Sequence, residues 1–92
     1  MFNASTELLE EVSLETTLQQ YHKLIIHNDH VNTFDWVIET LVAICGHTVE
    51  QAEQCSLFIH YKGKYAVKSD SFEALKPLKD AICDRGINAT IE

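Results

Sequence analysis

From Tyr21 onward the chain changes its hydrophobic period in a fixed order, and that order limits what it can fold into. Tyr21 to His27, with Leu24-Ile25-Ile26 at its centre, reads as a strand, and Asn28-Asp29 supplies the turn residues that end it. Asn32 is predicted as an N-cap, with Asp35 near the third helical position. Phe34, Val37, Ile38, Leu41 and Ile44 or Cys45 then fall at helical spacing until Gly46 stops the run. Thr48-Val49-Glu50-Gln51 is a capping box for a second helix whose inner face is predicted to carry Val49, Ala52, Cys55 or Ser56, and Ile59. Lys62-Gly63-Lys64 turns the chain. Tyr65 to Lys68 suits a second strand, and Ser69-Asp70-Ser71 is a helix-start cluster. Pro77 inside a helix would cost about 3 kcal/mol or more, so the third helix is predicted from near Leu75, after one turn or a kink, to Gly86. Ile87, Ala89 and Ile91 alternate with Asn88 and Thr90 as a one-sided strand. The order β-α-α-β-α-β has its natural solution in two layers, a sheet that buries one face under the helices.

Ninety-two residues allow one domain, since a chain of this length buries only about 60 to 65 % of its unfolded surface. With 46 % hydrophobic and 23 % charged residues, the composition is that of a globular protein. The net charge of -7 argues against a nucleic-acid partner, because the seven basic residues form no stripe and the cluster Lys62, Lys64 and Lys68 is better read as solubilising a turn and strand. Cys45, Cys55 and Cys83 are odd in number and widely spaced, which fits neither a disulfide framework nor a zinc knuckle; they read as small buried hydrophobes. The opening Met1-Phe2-Asn3-Ala4 lacks the marks of a secretory signal, and no run approaches the roughly 18 apolar residues of a membrane span. A cytoplasmic protein with no membrane partner is the expectation.

The first twenty residues differ in character. Glu7, Glu10, Glu11 and Glu15 have no basic residue to balance them, and Ser and Thr interrupt any steady period, so 1–20 is expected to be a mobile acidic tail on a domain spanning 21–92. The alternative is a short helix through Leu8, Leu9, Val12, Leu14 and Leu18.

Chemistry concentrates in His27-Asn28-Asp29-His30-Val31-Asn32-Thr33, echoed downstream by Ile59-His60-Tyr61. Polar groups at the boundary between a strand and a helix are free to face a ligand rather than each other. A metal site built from His27, His30, Cys45 or His47 is disfavoured, because zinc needs four converging ligands and this set is spread over two element ends. A Cys-His hydrolase is disfavoured too, as no motif sets a thiol beside a base and an oxyanion hole. Neither a catalytic residue nor a cofactor is expected. Phe34, Trp36 and Val37 at helical spacing are core residues by default, and His60 at a helix end is by default a structural cap.

The run from Tyr21 to Val37, the Ala52 to His60 helix, His60-Tyr61-Lys62-Gly63-Lys64 and the final Ala89-Thr90-Ile91-Glu92 together resemble ClpS, the adaptor family of the ATP-dependent Clp protease. The resemblance implies an α+β domain with a three-stranded antiparallel sheet packed against three helices. It implies a non-enzymatic adaptor that recognises proteins whose N-terminal residue is bulky and apolar (an N-degron) and delivers them to a Clp-family AAA+ unfoldase. Carried over residue by residue, it puts Asn28, Asp29 and His60 on the substrate's α-amino group, and His30 and Asn32 near its backbone. Phe34, Val37, Ser56, Ile59 and Ile87 then line the side-chain pocket. Glu73 and Lys79 fall near the unfoldase-contact positions, and the acidic tail falls on the extension that the unfoldase engages. An α-amine, with a pKa near 7.7 to 8.0, is largely charged at neutral pH and wants acceptors such as an amide oxygen, a carboxylate and a neutral imidazole.

Three positions depart from the family's pattern. His30 stands where a second acid is usual, Asn32 where Thr is usual, and Ser56 where many members carry a Met expected to gate the pocket mouth; Phe34, where Met is common, is expected to refill some of that volume. The alternative reading is a protein-interaction domain of similar fold, like the C-terminal domain of the ribosomal stalk protein, without recognition of N-terminal residues. That reading has no need of Asn28, Asp29 and His60 together.

Overall fold

The central strand is the first one. In the computed structural model, which describes residues 21–92, β1 (Tyr21–His27) is hydrogen-bonded on both sides, giving the sheet order β2-β1-β3 with both pairings antiparallel. The remaining elements are α1 (Phe34–Cys45), α2 (Val49–Lys62), β2 (Lys64–Ser71), α3 (Phe72–Asp84) and β3 (Ala89–Ile91). The expected α+β class, element order and two-layer arrangement are what the chain adopts. The acidic tail and its alternative helix lie outside the described residues.

One core holds the layers together. Leu24 and Ile26 of β1, Leu41 of α1, Ala52, Cys55 and Ile59 of α2, Val67 of β2, Leu75 and Ile82 of α3, and Ile87 and Ala89 around β3 form one buried cluster. Burying each large aliphatic side chain contributes about 1.5 to 3 kcal/mol, enough in sum to offset much of the ordering entropy of a small domain. Val49, expected on the inner face of α2, is instead half exposed. As the first residue of the helix it precedes the turn that meets the core, and Ala52 is the first of the buried series.

Three other boundaries differ from expectation. The N-cap of α1 is Thr33, whose hydroxyl accepts from the Trp36 N–H, and Asn32 sits one residue outside the helix. Strand β2 runs from Lys64 through Ser69 and Asp70 to Ser71, because these residues pair with β1 along its whole length, and Ser71 still serves as the helix start that the cluster predicts. Helix α3 starts at Phe72, capped by the Ser71 hydroxyl, and passes straight through Pro77. Pro77 is exposed, so the Glu73 carbonyl deprived of its helical partner faces water, which lowers the cost of the interruption. The capping box of α2 forms as predicted, with Thr48 and Gln51 each bonding the other's backbone N–H.

Between Leu24 and Ile25 the register on β2 slips by one, leaving Val67 as the extra residue of a β-bulge. The Val67 carbonyl is taken up by His47 Nε2 at 2.9 Å. A carbonyl only accepts, so Nε2 carries the proton, and the ring pins the α1–α2 turn to the sheet.

Candidate functional site

At the end of β1 the backbone is fixed from two sides. His27 N–H donates to the Asn88 carbonyl at 3.0 Å, and Asn28 N–H to the Gly63 carbonyl at 2.8 Å. Gly63 closes α2 with φ of 85°, a left-handed conformation that side-chain-bearing residues rarely adopt. The Asn28 side chain is thereby held beside the last turn of α2, which carries His60.

The next residues fold back on Asp29. Its Oδ1 accepts from the backbone N–H of Val31 at 2.8 Å and of Asn32 at 2.7 Å, and its Oδ2 accepts from Asn32 Nδ2 at 2.7 Å. Asn32 Nδ2 also donates to the Gly86 carbonyl at 2.9 Å, tying the loop to the junction between α3 and β3. One residue pair thus shapes the loop and anchors it. The donors from Asn32, backbone first and then side chain, hold the Asp29 carboxyl below its ordinary 3.8; Val31 and the His30 charge act in the same direction, and burial opposes them. Asp29 is therefore negative throughout the neutral range.

Beyond the loop two helices present short stripes to the same space. Phe34 and Val37 are three apart on α1, and Ser56, Ile59 and His60 are three and four apart on α2, the spacings that share a helix face. The result is a cavity of about 210 Å³. Asn28, Asp29, His30, Asn32, Thr33 and His60 give it a polar side, and Phe34, Val37, Ser56 and Ile59 a mainly apolar one. The Phe34 and His60 rings meet at 5.3 Å between centroids across it, and both residues are exposed.

Nine of the ten residues predicted for the substrate site border this one space. Ile87 does not: it is 2 % exposed and belongs to the core cluster behind the loop. Ser56 is also buried, at 3 %, so it stands on the inner wall and not at the mouth, where the exposed Phe34 sits instead. Thr33 borders the cavity too; it belongs to the polar stretch but to none of the roles that the resemblance assigns, and its hydroxyl is occupied in capping α1. A sequence signal existed, since Asn32 and Thr33 are both good N-caps, but nothing local says which one a distant carbonyl will claim. Glu73 and Lys79 lie apart from the cavity on α3, Glu73 exposed in the first turn and Lys79 within 3.6 Å of the Asp80 carboxylate. Trp36 packs against the core with its Nε1 donating to the Arg85 carbonyl at 3.1 Å, while the Arg85 guanidinium lies over its ring at 5.1 Å.

The three cysteines are free; burial pushes the Cys45 thiol up to about 11, which suits a packing residue and not a nucleophile. Among the described residues no group of three or more His, Cys, Asp or Glu side chains is placed to hold a metal ion, and no helix is long and apolar enough to cross a membrane.

The chain is similar to known proteins in sequence and in fold. Residues 17–89 match the model of the family described as ATP-dependent Clp protease adaptor protein ClpS. The protein of that name from Campylobacter jejuni (strain RM1221) is 40 % identical over 58 residues, covering 63 % of this chain and 58 % of the relative. Its counterpart from Shewanella pealeana is 40 % identical over 63 residues, covering 64 % and 62 %. The matched stretch therefore spans about three fifths of the relatives' length. The structure of Agrobacterium tumefaciens ClpS2 bound to L-phenylalaninamide superposes with a TM-score of 0.69 at 18 % identity, covering 79 % of this chain and 95 % of that one.

Proposed function

The chain belongs to the ClpS family of ATP-dependent Clp protease adaptor proteins, and from that premise we propose that its cavity binds the first residue of a protein substrate for delivery to a Clp unfoldase. The observation that carries this reading is the division of one cavity into a polar side bearing Asn28, Asp29 and His60 and an apolar side bearing Phe34, Val37 and Ile59. A chain N-terminus has the same division: a cationic amine and a side chain borne by one carbon atom. L-phenylalaninamide, the ligand of the Agrobacterium tumefaciens protein, has both parts.

The groups divide the work unequally. A carboxylate offers about four acceptor positions, and three at Asp29 are taken by its own loop. Asp29 therefore supplies negative charge and one remaining lone pair, while the Asn28 amide oxygen and the His60 imidazole are the freer acceptors. Charge-assisted hydrogen bonds contribute about 1.5 to 3 kcal/mol each, and burial of a Phe or Leu side chain about as much, against the entropy of association. Micromolar affinity, about -8 kcal/mol, is the expected outcome. No step of bond-making is involved; the protein acts by binding, as a non-catalytic adaptor of the cytoplasm. The segment before Tyr21, with Glu73 and Lys79 on α3, is assigned to handover to the unfoldase.

The test is a titration with peptides that differ only in their first residue. Peptides beginning with Phe, Leu, Tyr or Trp should bind, and acetylation of the α-amine should abolish binding by removing its charge and donors. Equal affinity for free and acetylated peptides would favour an interaction domain without N-terminal recognition.

A further inference from the structure

The apolar side of the cavity contains one anomaly. Ser56 lines it and is buried, yet its hydroxyl oxygen has no hydrogen-bond partner among the described residues. A helical serine commonly satisfies itself by bonding the carbonyl four residues back. Ser56 does not. A buried hydroxyl left unmade is a standing penalty in the free protein, and one that a ligand can remove.

The position of the group says what kind of ligand would do so. Ser56 sits on the inner wall, one helical turn from His60 on the same face of α2, so it lies inward of the ring pair at the opening. Space is sufficient for a ring: engineered apolar cavities of about 150 Å³ take up benzene, and this one measures about 210 Å³. A phenyl ring would fill the wall region and leave the hydroxyl unpaired. A phenol brings an O–H that both donates and accepts, and so pairs two hydroxyls in one hydrogen bond.

We propose that Ser56 is a specificity-determining residue that makes this cavity prefer a first residue ending in a hydrogen-bonding group, tyrosine foremost, over its isostere phenylalanine. The inference rests on the reading of the cavity as an N-terminal-residue site. Because one neutral hydrogen bond is gained and one phenol is desolvated, the expected preference for Tyr over Phe is roughly three- to tenfold.

The experiment measures affinity for two peptides that begin with Tyr or Phe and are otherwise identical, using the wild-type chain, Ser56→Ala and Ser56→Cys. The proposal expects the Tyr to Phe ratio to fall to about one in both variants, with the unfolding midpoint of Ser56→Ala unchanged or raised. A ratio that is the same in all three proteins, with Phe still bound, would overturn the role of Ser56 and leave the N-terminal-residue reading intact. A parallel loss of both peptides with a lowered midpoint would mark Ser56 as structural and overturn the proposal. Failure of the wild-type protein to bind either peptide would overturn both readings.

Discussion

Asp29 accepts its three loop hydrogen bonds more strongly in the charged form, and this ties the shape of the site to a proton. The carboxyl sits below 3.8 in the folded protein because Asn32 and Val31 donate to it. As pH falls, the unfolded chain takes up the proton first. The stability contributed by Asp29 is therefore complete above 3.8 and is lost as the pH drops through the lower folded value. An NMR titration of the Asp29 carboxyl carbon should give a midpoint below 3.8, and a midpoint at or above it would mean that the loop does not close on this side chain. Asn28, Asp29 and His60 were legible as a polar cluster because strand-end and helix-end residues carry little packing duty. That Asp29 spends most of its acceptors on its own loop was not legible, since Asx chemistry and ligand binding ask for the same residue type.

Among the elements, helix starts and stops divide into those set locally and those set at a distance. Gly46 and the Thr48-Gln51 box worked as read, because each satisfies backbone groups within a few residues. The start of α1 was read one residue early, because the Asn32 amide is drawn to Gly86, fifty-four positions away. These two residues should respond differently to truncation. Thr33→Ala should lower stability by about 1 kcal/mol in urea unfolding through loss of the cap, with peptide affinity little changed. Asn32→Ala should weaken peptide binding several-fold, because it releases Asp29 and the Gly86 tether together; equal effects of the two variants on binding would contradict this division. The propensity of Pro77 points to a later start for α3 than the one adopted, because it takes no account of the burial of Leu75, which with the Ser71 cap holds the helix from its first turn. Pro77→Ala, which restores an N–H to the Glu73 carbonyl, should raise stability by about 1 to 3 kcal/mol, and an unchanged unfolding midpoint would show that the ring is accommodated without cost.

At the scale of the molecule, the fold sets the cavity apart from the face carrying Glu73 and Lys79, so the binding and handover proposed for them should be separable. Removing Met1 to Thr17 should leave peptide affinity unchanged, since β1 and the Asn28 loop take their hydrogen bonds from Gly63, Asn88 and one another. Delivery of a Phe-starting reporter to the cognate unfoldase and protease should fail; undiminished degradation would deny the segment that role. The α+β architecture was legible because hydrophobic period and turn residues agree along the chain, whereas the membership of Ile87 in the core depends on how α3 and β3 close, which no local pattern encodes. The central claim, that a substrate's first residue enters the space between the Asn28 loop, α1 and α2, is tested most directly by mapping amide and methyl NMR shifts as a Phe-starting peptide is added. The account predicts the largest changes at Asn28, Val37, Ser56, Ile59 and His60, with intermolecular contacts from the Phe ring to the Val37 and Ile59 methyl groups. Changes centred instead on the open hollow between α2 and β2 at His47, Gln51 and Tyr65, with the Asn28 loop unmoved, would contradict it.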